Sequence, residues 1–418
     1  MSKNRNSKLG SMGVRTRVWR CGICLSLLLT SYTGRASVKL TVWSHQPERM
    51  QKAIRYLLRQ FDAKNSKISV KLQSVKNPTS LAQQIDETDL SESSADLFIA
   101  DSQIMKRWMH KGMLKALDPK DFNVDRVFPI ALASMTDTRQ TLWGVPISVG
   151  RHLMLFVNKK LVSAPYETFE SLVKGVKTLP SSKDILRLAV DISNPYWFMP
   201  FMSAYNHDGF LRNLPEVNKP ALEKAFTLIH DMKFRWGVIN DSCDYSCGVE
   251  KFLNSEAAML IAGDWELSKL RNKLGSKLDV VKLPVIGATG NPMRSLAYSV
   301  GVYFRRNLSA ASTKVATKFV NYLISDSAQL YLMKRSRMLS SVAPISRRVI
   351  IKKDWAMSKK LLALEDSIPM VLDPKLDFMM RQIRIQLALV LGGRQQPAAA
   401  ASFIEAAMKD KYQIESVQ

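Results

Sequence analysis

Over residues 38–43 apolar and polar side chains alternate, the period of a strand buried on one face. A helical stripe follows: Met50, Ile54, Leu57, Leu58 and Phe61 recur at helical spacing, and Pro47 sits where a first helical residue would be. Alternation returns over 68–75, a short helix is expected near 80–85, and 96–100 is a short apolar run that reads as a buried strand. Asp101 and Ser102 then offer capping groups for another helix. Strand and helix thus alternate three times, the pattern of a doubly wound α/β sheet.

The pattern restarts after about residue 150. Extended segments at 142–146 and 153–157 flank Val149-Gly150-Arg151. A helix at 169–176, a strand at 186–190, helices near 195–205 and 218–235 and a strand at 257–261 come next. Gly263 is expected to break that last strand and to admit a close approach of backbone or ligand. Residues 280–284 and 297–304 read as strands, and 311–324 and 327–336 as helices. The last 65 residues of the chain read as wholly helical, with Leu376, Met380, Ile383 and Leu387 on one face. The expected class is α/β, with two lobes between which the chain passes more than once.

The first 36 residues have a different character. Six cations between Lys3 and Arg20 precede a short apolar core at 23–29, and Gly34 and Ala36 place small residues at −3 and −1 of a cut after Ala36. This is the layout of a cleaved secretory signal peptide, with a mitochondrial-type leader or an uncleaved anchor as alternatives. No apolar run in the chain reaches the roughly 18 residues that a membrane-spanning helix needs.

Composition narrows the class. A 46% hydrophobic and 23% charged chain of 418 residues is long enough for two or three packed cores and has a globular balance. The formal net charge is +25; residues 1–36 hold seven of the cations and no acid, which leaves +18 on the rest. Such charge suits either a solvated surface in an anionic envelope or attraction to a polyanion or an anionic solute, and its scatter along the chain favours the first. Cys21 and Cys24 would leave with the signal peptide. Cys243 and Cys247, four apart, would suit a local disulfide in an oxidising compartment, with free thiols as the alternative. Two thiolates with no nearby His supply too few ligands for a metal, so no metal and no cofactor is expected.

Enzyme signatures are missing. The chain has no Gly-x-Ser-x-Gly, no His-Glu-x-x-His and no glycine-rich phosphate loop, and its five His are scattered.

Residues 252–265 read Phe-Leu-Asn-Ser-Glu-Ala-Ala-Met-Leu-Ile-Ala-Gly-Asp-Trp. This segment resembles Phe-x-x-Gly-x-Ala-Ala-Met-x-x-x-Gly-x-Trp of the family 1 extracellular solute-binding proteins, the maltose-binding protein group, with Asn254 in place of the usual Gly. Ala95-Asp96-Leu97-Phe98, residues 113–118, Trp143-Gly144-Val145-Pro146, residues 157–161 and residues 165–170 resemble further landmarks of that family in the same order. The resemblance implies two doubly wound lobes joined by a hinge, with a helical C-terminus and three crossings near 149–152, 294–296 and 344–348. The lobes would be 37–149 plus 296–345 and 150–295 plus 346–418.

The resemblance also implies a ligand cleft with aromatic walls. Asn194-Pro195-Tyr196-Trp197 is similar to a stretch that stacks rings on a sugar in this family, and Trp265 and Trp43 fall where the family lines its cleft. Aromatic rings match the apolar C–H faces of sugars. Each has a plainer reading: Trp43 as interior packing, Tyr196 and Trp197 as the core of a helix start. Asp101 is either a ligand contact or a helix cap, and His45 reads as a surface loop residue. Arg151, in the expected first crossing, would clamp an anionic group or pair with a carboxylate across the hinge. Met379 and Met380 stand near where the family has its last aromatic ring.

The expectation is therefore an extracytoplasmic, monomeric solute-binding protein of an ABC importer. It would bind a sugar or oligosaccharide, dock on a membrane permease, and bind no nucleic acid. Two alternatives are an anionic solute such as a glycerophosphate ester, clamped by Arg151 or Arg294, and a surface adhesion or polyanion-binding module.

Overall fold

The computed structural model describes residues 38–87, 95–162, 166–177, 185–206, 211, 213–351 and 354–412. The segment read as a signal peptide, with Cys21 and Cys24, lies outside these residues. The chain opens with β1 (Val38–Ser44), α1 (Glu48–Ala63), β2 (Ile68–Ser74), α2 (Pro78–Glu87), β3 (Leu97–Asp101), α3 (Ser102–His110), α4 (Pro129–Ala133) and β4 (Gly144–Gly150). It then passes to a second body: β5 (Leu153–Asn158), α5 (Phe169–Lys177), β6 (Leu186–Val190), α6 (Pro195–Tyr205), α7 (Lys219–His230), α8 (Tyr245–Leu253), β7 (Ala257–Gly263), α9 (Leu267–Leu274), β8 (Leu278–Val281), β9 (Val285–Ile286) and β10 (Asn291–Pro292). It returns through β11 (Leu296–Phe304), α10 (Ala310–Leu323), α11 (Asp326–Ser336), β12 (Leu339–Ser340) and α12 (Ala343–Ile351). It ends with α13 (Trp355–Glu365), β13 (Ile368–Pro369), α14 (Pro374–Leu391) and α15 (Pro397–Tyr412).

The first lobe is built on a sheet in the order β12-β4-β11-β3-β1-β2, with β13 on the start of β11. β1 runs parallel to β2 and β3, while β11 is antiparallel to both β3 and β4. The second lobe has the order β6-β7-β5-β8, in which β6 and β7 are parallel and β5 is antiparallel to its neighbours. The stripe on α1 buries Met50, Ile54, Leu57, Leu58 and Phe61 in the first core, as its periodicity predicts. Pro47 stands one residue before that helix, as its N-cap. β7 continues through Gly263, two residues beyond the expected strand. The C-terminal stretch is not wholly helical: β13 interrupts it by pairing with Leu296 and Ala297.

Three passages join the lobes and lie side by side. The first is the turn between β4 and β5, where Gly150 and Arg151 both have positive φ. The second enters β11: the Ser295 hydroxyl accepts from Leu153 N at 2.8 Å, and Ser295 O accepts from Ile368 N at 2.9 Å. The third is longer. α12 packs on β12 and α11, α13 packs on β12 of the first lobe and on β5 and β8 of the second, and the chain reaches α14 through β13. Lys106 of α3 is ion-paired with Asp377 of α14, a further tie between the halves.

Strand direction sets where the two sheets face each other. β1, β3 and β4 end at Ser44, Asp101 and Gly150, and Asp101 pairs in register with Val300 while Gly150 pairs with Tyr298. In the second sheet β7 ends at Gly263, opposite Leu153. The carboxyl edges of both sheets therefore meet at the first passage, the edge at which open α/β sheets hold their ligands.

Candidate functional site

At the first lobe's edge three polar side chains converge. His45 Nε2 lies 3.1 Å from Asp101 Oδ2, and Arg151 Nη2 lies 3.2 Å from Asp101 Oδ1. The Gln46 side-chain oxygen accepts from Arg151 at 3.3 Å, and the Gln46 carbonyl accepts from Gln51 at 2.7 Å. Burial pushes the Asp101 carboxyl up, but the Arg151 charge and the His45 hydrogen bond outweigh it, so its pKa lies below the usual value. Two expectations change here. The Asp101 carboxylate makes no cap on α3, because it is turned to Arg151 and His45; pairing with a full guanidinium charge outweighs one bond to a backbone N–H. His45 is not a surface loop residue but is buried.

Arg151 also faces the second lobe. Its backbone N–H donates to Asp264 Oδ1 at 3.1 Å, a direction set by the left-handed φ of 57° at this residue. The second Asp264 oxygen lies 3.0 Å from Lys360 Nζ, which also donates to the Arg337 carbonyl. Burial raises the Asp264 carboxyl, and the charges of Lys360, His152 and Arg151 hold it below the ordinary value. His152 is fully buried beside this pair, and burial pulls its pKa below the ordinary value. A Cβ at Gly150 would come within 3.2 Å of Asp264 Oδ2, so the first passage needs a small residue there.

An aromatic row adjoins these charges. Ring centroids step from Tyr298 to Tyr196 (6.4 Å), to Trp197 (5.5 Å), to Tyr245 (5.3 Å) and to Trp265 (6.4 Å). Four of the five polar tips are fixed. The Tyr196 hydroxyl lies between the carbonyls of Arg151 and Leu296, two of the hinge passages. Trp197 donates to the Ile261 carbonyl at 2.9 Å. Trp265 donates to the Tyr245 hydroxyl at 2.7 Å, which in turn donates to Glu266 at 2.8 Å. Asn194 caps α6 through Tyr196 N, which holds the first turn and its two rings at the strand edge. Gly263 serves this row: a Cβ there would fall 2.1 Å from the Trp265 ring, so the close approach is made by the indole itself.

Tyr196, Trp197 and Trp265 thus meet in one row, and Asp101 and Arg151 meet at its hinge end. Trp197 is the most enclosed of the row. Trp43 is not part of it. It is 2% exposed, packs edge-on against Phe98 in the first core, and its indole N–H has no acceptor among the described residues. Arg294 donates to the Asp366 carbonyl at 3.0 Å, beside the second passage. Met379 is fully buried in the second core. Cys243 and Cys247 form a disulfide that joins the loop before α8 to its first turn.

Four participants had no assignment from the residues alone. Tyr298 lies on the alternating strand β11, and Tyr245 follows the α8 cap Asp244 with nothing local to single it out. Asp264 stands inside the 252–265 segment. Lys360 did carry a signal: it falls with Met357, Leu361 and Leu364 on the buried stripe of α13. Among the described residues no group of three or more His, Cys, Asp or Glu is placed to hold a metal, and no helix is long and apolar enough to cross a membrane.

The family model described as bacterial extracellular solute-binding protein matches residues 57–362, and the chain belongs to that family. Solved structures share its fold. The maltose/maltodextrin-binding domain MalE of Bdellovibrio bacteriovorus, bound to maltotriose, superposes with a TM-score of 0.74 at 23% identity, covering 90% of this chain and 100% of that one. The GacH receptor of Streptomyces glaucescens, known unliganded and with acarbose, gives 0.75 at 18% identity over 90% and 98% of the two chains. MalE of Listeria monocytogenes, in complex with maltose, gives 0.76 at 17% over 91% and 99%. At these identities the likeness is one of fold. A search of curated proteins finds no match to the sequence.

Proposed function

We propose that this protein is the extracytoplasmic receptor of an ABC importer and that it binds a sugar or short oligosaccharide between its lobes. The observation that carries the reading is the row Tyr298, Tyr196, Trp197, Tyr245 and Trp265, which runs from β11 of the first sheet to the carboxyl edge of the second, with Tyr196 bonded to the hinge and Trp265 to Tyr245. Pre-fixed rings lose little rotamer entropy on binding, and a pyranose offers them a flat C–H face. The ligands of these structural neighbours, maltotriose, acarbose and maltose, agree in chemistry with such a row. Asp101, Arg151 and Gln46 supply polar groups at its hinge end.

No bond is made or broken in this role. The protein leaves the cytoplasm under a signal peptide that is cut off after Ala36, acts as a monomer, and signals its occupied state to a membrane permease by closing about the three passages. A ligand must favour the closed form about 10⁴-fold to turn a 1:99 population into 99:1. A micromolar ligand has about 8 kcal/mol in total, enough when most contacts form only on closure.

Thermal shift and calorimetric titration of residues 37–418 against neutral and charged di- and trisaccharides and glycerophosphate esters test this. Saturable binding of an oligosaccharide, abolished by Trp265→Ala with Tyr196→Ala, is expected. Binding of the phosphate esters with no response to any sugar rejects the reading.

A further inference from the structure

Where the aromatic row ends at Trp265, the rim of the seam holds an open cavity of about 590 Å³ lined by Arg49, Trp265, Ser268, Lys269, Asn272 and Lys273. Arg49 is the second residue of α1, in the first lobe. The others belong to the second lobe, and Ser268, Lys269, Asn272 and Lys273 recur at the spacing of one face of α9. Both lobes are therefore needed to form the hollow.

Its chemistry is one-sided. Three of the six lining residues are cations and none is an acid. Among the described residues, Arg49, Lys269 and Lys273 make no ion pair and no side-chain hydrogen bond, and neither Ser268 nor Asn272 uses its side chain elsewhere. The adjacent acids are committed to other groups: Glu48 to Lys52 and Arg55, and Glu266 to the Tyr245 hydroxyl. Arg271, on the other side of α9, has its own partners, the Gly275 carbonyl and the face of Trp355. Like charges gathered around a concavity raise its potential, and an anion placed there relieves their mutual repulsion.

We propose that this rim cavity is a subsite for an anionic substituent on the bound sugar, a carboxylate or a sulfate ester, so that the transported solute is an acidic oligosaccharide. The inference rests on the sugar reading above. A ring stacked at Trp265 lies at the cavity wall, so its exocyclic groups meet the lysines of α9. The Arg49 guanidinium offers the forked geometry that carboxylate and sulfate oxygens accept, and it does so from the opposite lobe. The anion thus bridges the halves and favours the closed form over the open one.

The test is calorimetric titration of residues 37–418 with matched trisaccharide pairs at low and moderate salt. The probes are maltotriose, cellotriose and galactotriose, each beside its uronate and its 6-O-sulfated form, with sodium sulfate alone as a further arm. On one backbone a charged form is expected to bind about tenfold tighter than the neutral form, a gap that narrows as salt rises. Arg49→Gln and Lys269→Gln/Lys273→Gln, substitutions of exposed side chains, should lower the affinity for the charged form more than that for the neutral one. Equal affinity for neutral and charged forms overturns the inference while leaving the sugar reading intact. A charged-form preference that survives both variants overturns it equally, as does sodium sulfate binding as tightly as the sulfated sugar, which marks a free-anion site. If no trisaccharide of any kind binds, the sugar reading itself fails, and the subsite with it.

Discussion

Lys360 Nζ lies 3.0 Å from Asp264 Oδ2, with side chains only 5% and 6% exposed. The pair joins the long third passage to the edge of the second sheet. Lys360→Met leaves an uncompensated buried carboxylate and is expected to lower stability by about 3–5 kcal/mol, whereas the double variant Lys360→Met/Asp264→Leu should recover most of that loss. Urea midpoints of the four proteins in the cycle measure it; a double variant as unstable as the sum of the singles would refute the pairing.

Acid should weaken the fold in two stages. His152 has a folded pKa below its unfolded value of 6.5 because burial favours the neutral ring. Its contribution is therefore complete above pH 6.5 and shrinks as pH falls from there through the lowered folded value. Asp101 and Asp264 lie below 3.8 in the fold, so their contribution is complete above that value and is lost as pH falls through the depressed ones. Urea midpoints across pH 3–8 should show both arms, and His152→Leu should remove the upper one alone.

Gly263→Ala puts a methyl group where the Trp265 ring lies. The indole must swing away and give up its bond to Tyr245. The expected readout is a shifted tryptophan emission and about a tenfold loss of oligosaccharide affinity, the scale of one stacking contact. Trp43→Phe, a change inside the first core, should instead lower the melting temperature with little effect on affinity.

The Cys243–Cys247 bridge closes a short loop ahead of α8. Its removal in Cys243→Ser/Cys247→Ser should destabilise the protein by about 2 kcal/mol on the chain-entropy scale for so small a loop. Thermal melts with and without reductant should then differ for the parent and coincide for the variant.

Much of the architecture was legible locally. β1 and α1 follow their hydrophobic periods, and α6 follows its Asn194-Pro195 start, whereas β11 forms where expected but is buried on both faces between β3 and β4. What escaped was decided by distant partners. The Asp101 carboxylate left its local cap for Arg151, fifty positions on, and His45 was buried by the same carboxylate. β13 is two residues long and exists only because Leu296 and Ala297 present an edge, so no local period announces it. Tyr245 and Tyr298 join the aromatic row through tertiary approach, whereas Tyr196, Trp197 and Trp265 sit in stretches whose pattern already marked them. Lys360 was readable as a cation on an apolar stripe, but its partner was not.

The placement of α13 has a consequence for how the molecule comes apart. This helix sends Met357, Leu361 and Leu364 into the first core and Ala363 into a core cluster of the second, against which Trp355 and Ala356 also pack. A beam shared in this way denies either half an independent collapse: melting one withdraws the wall of the other. Heating should accordingly give a single endotherm, and shortening α13 should split it in two.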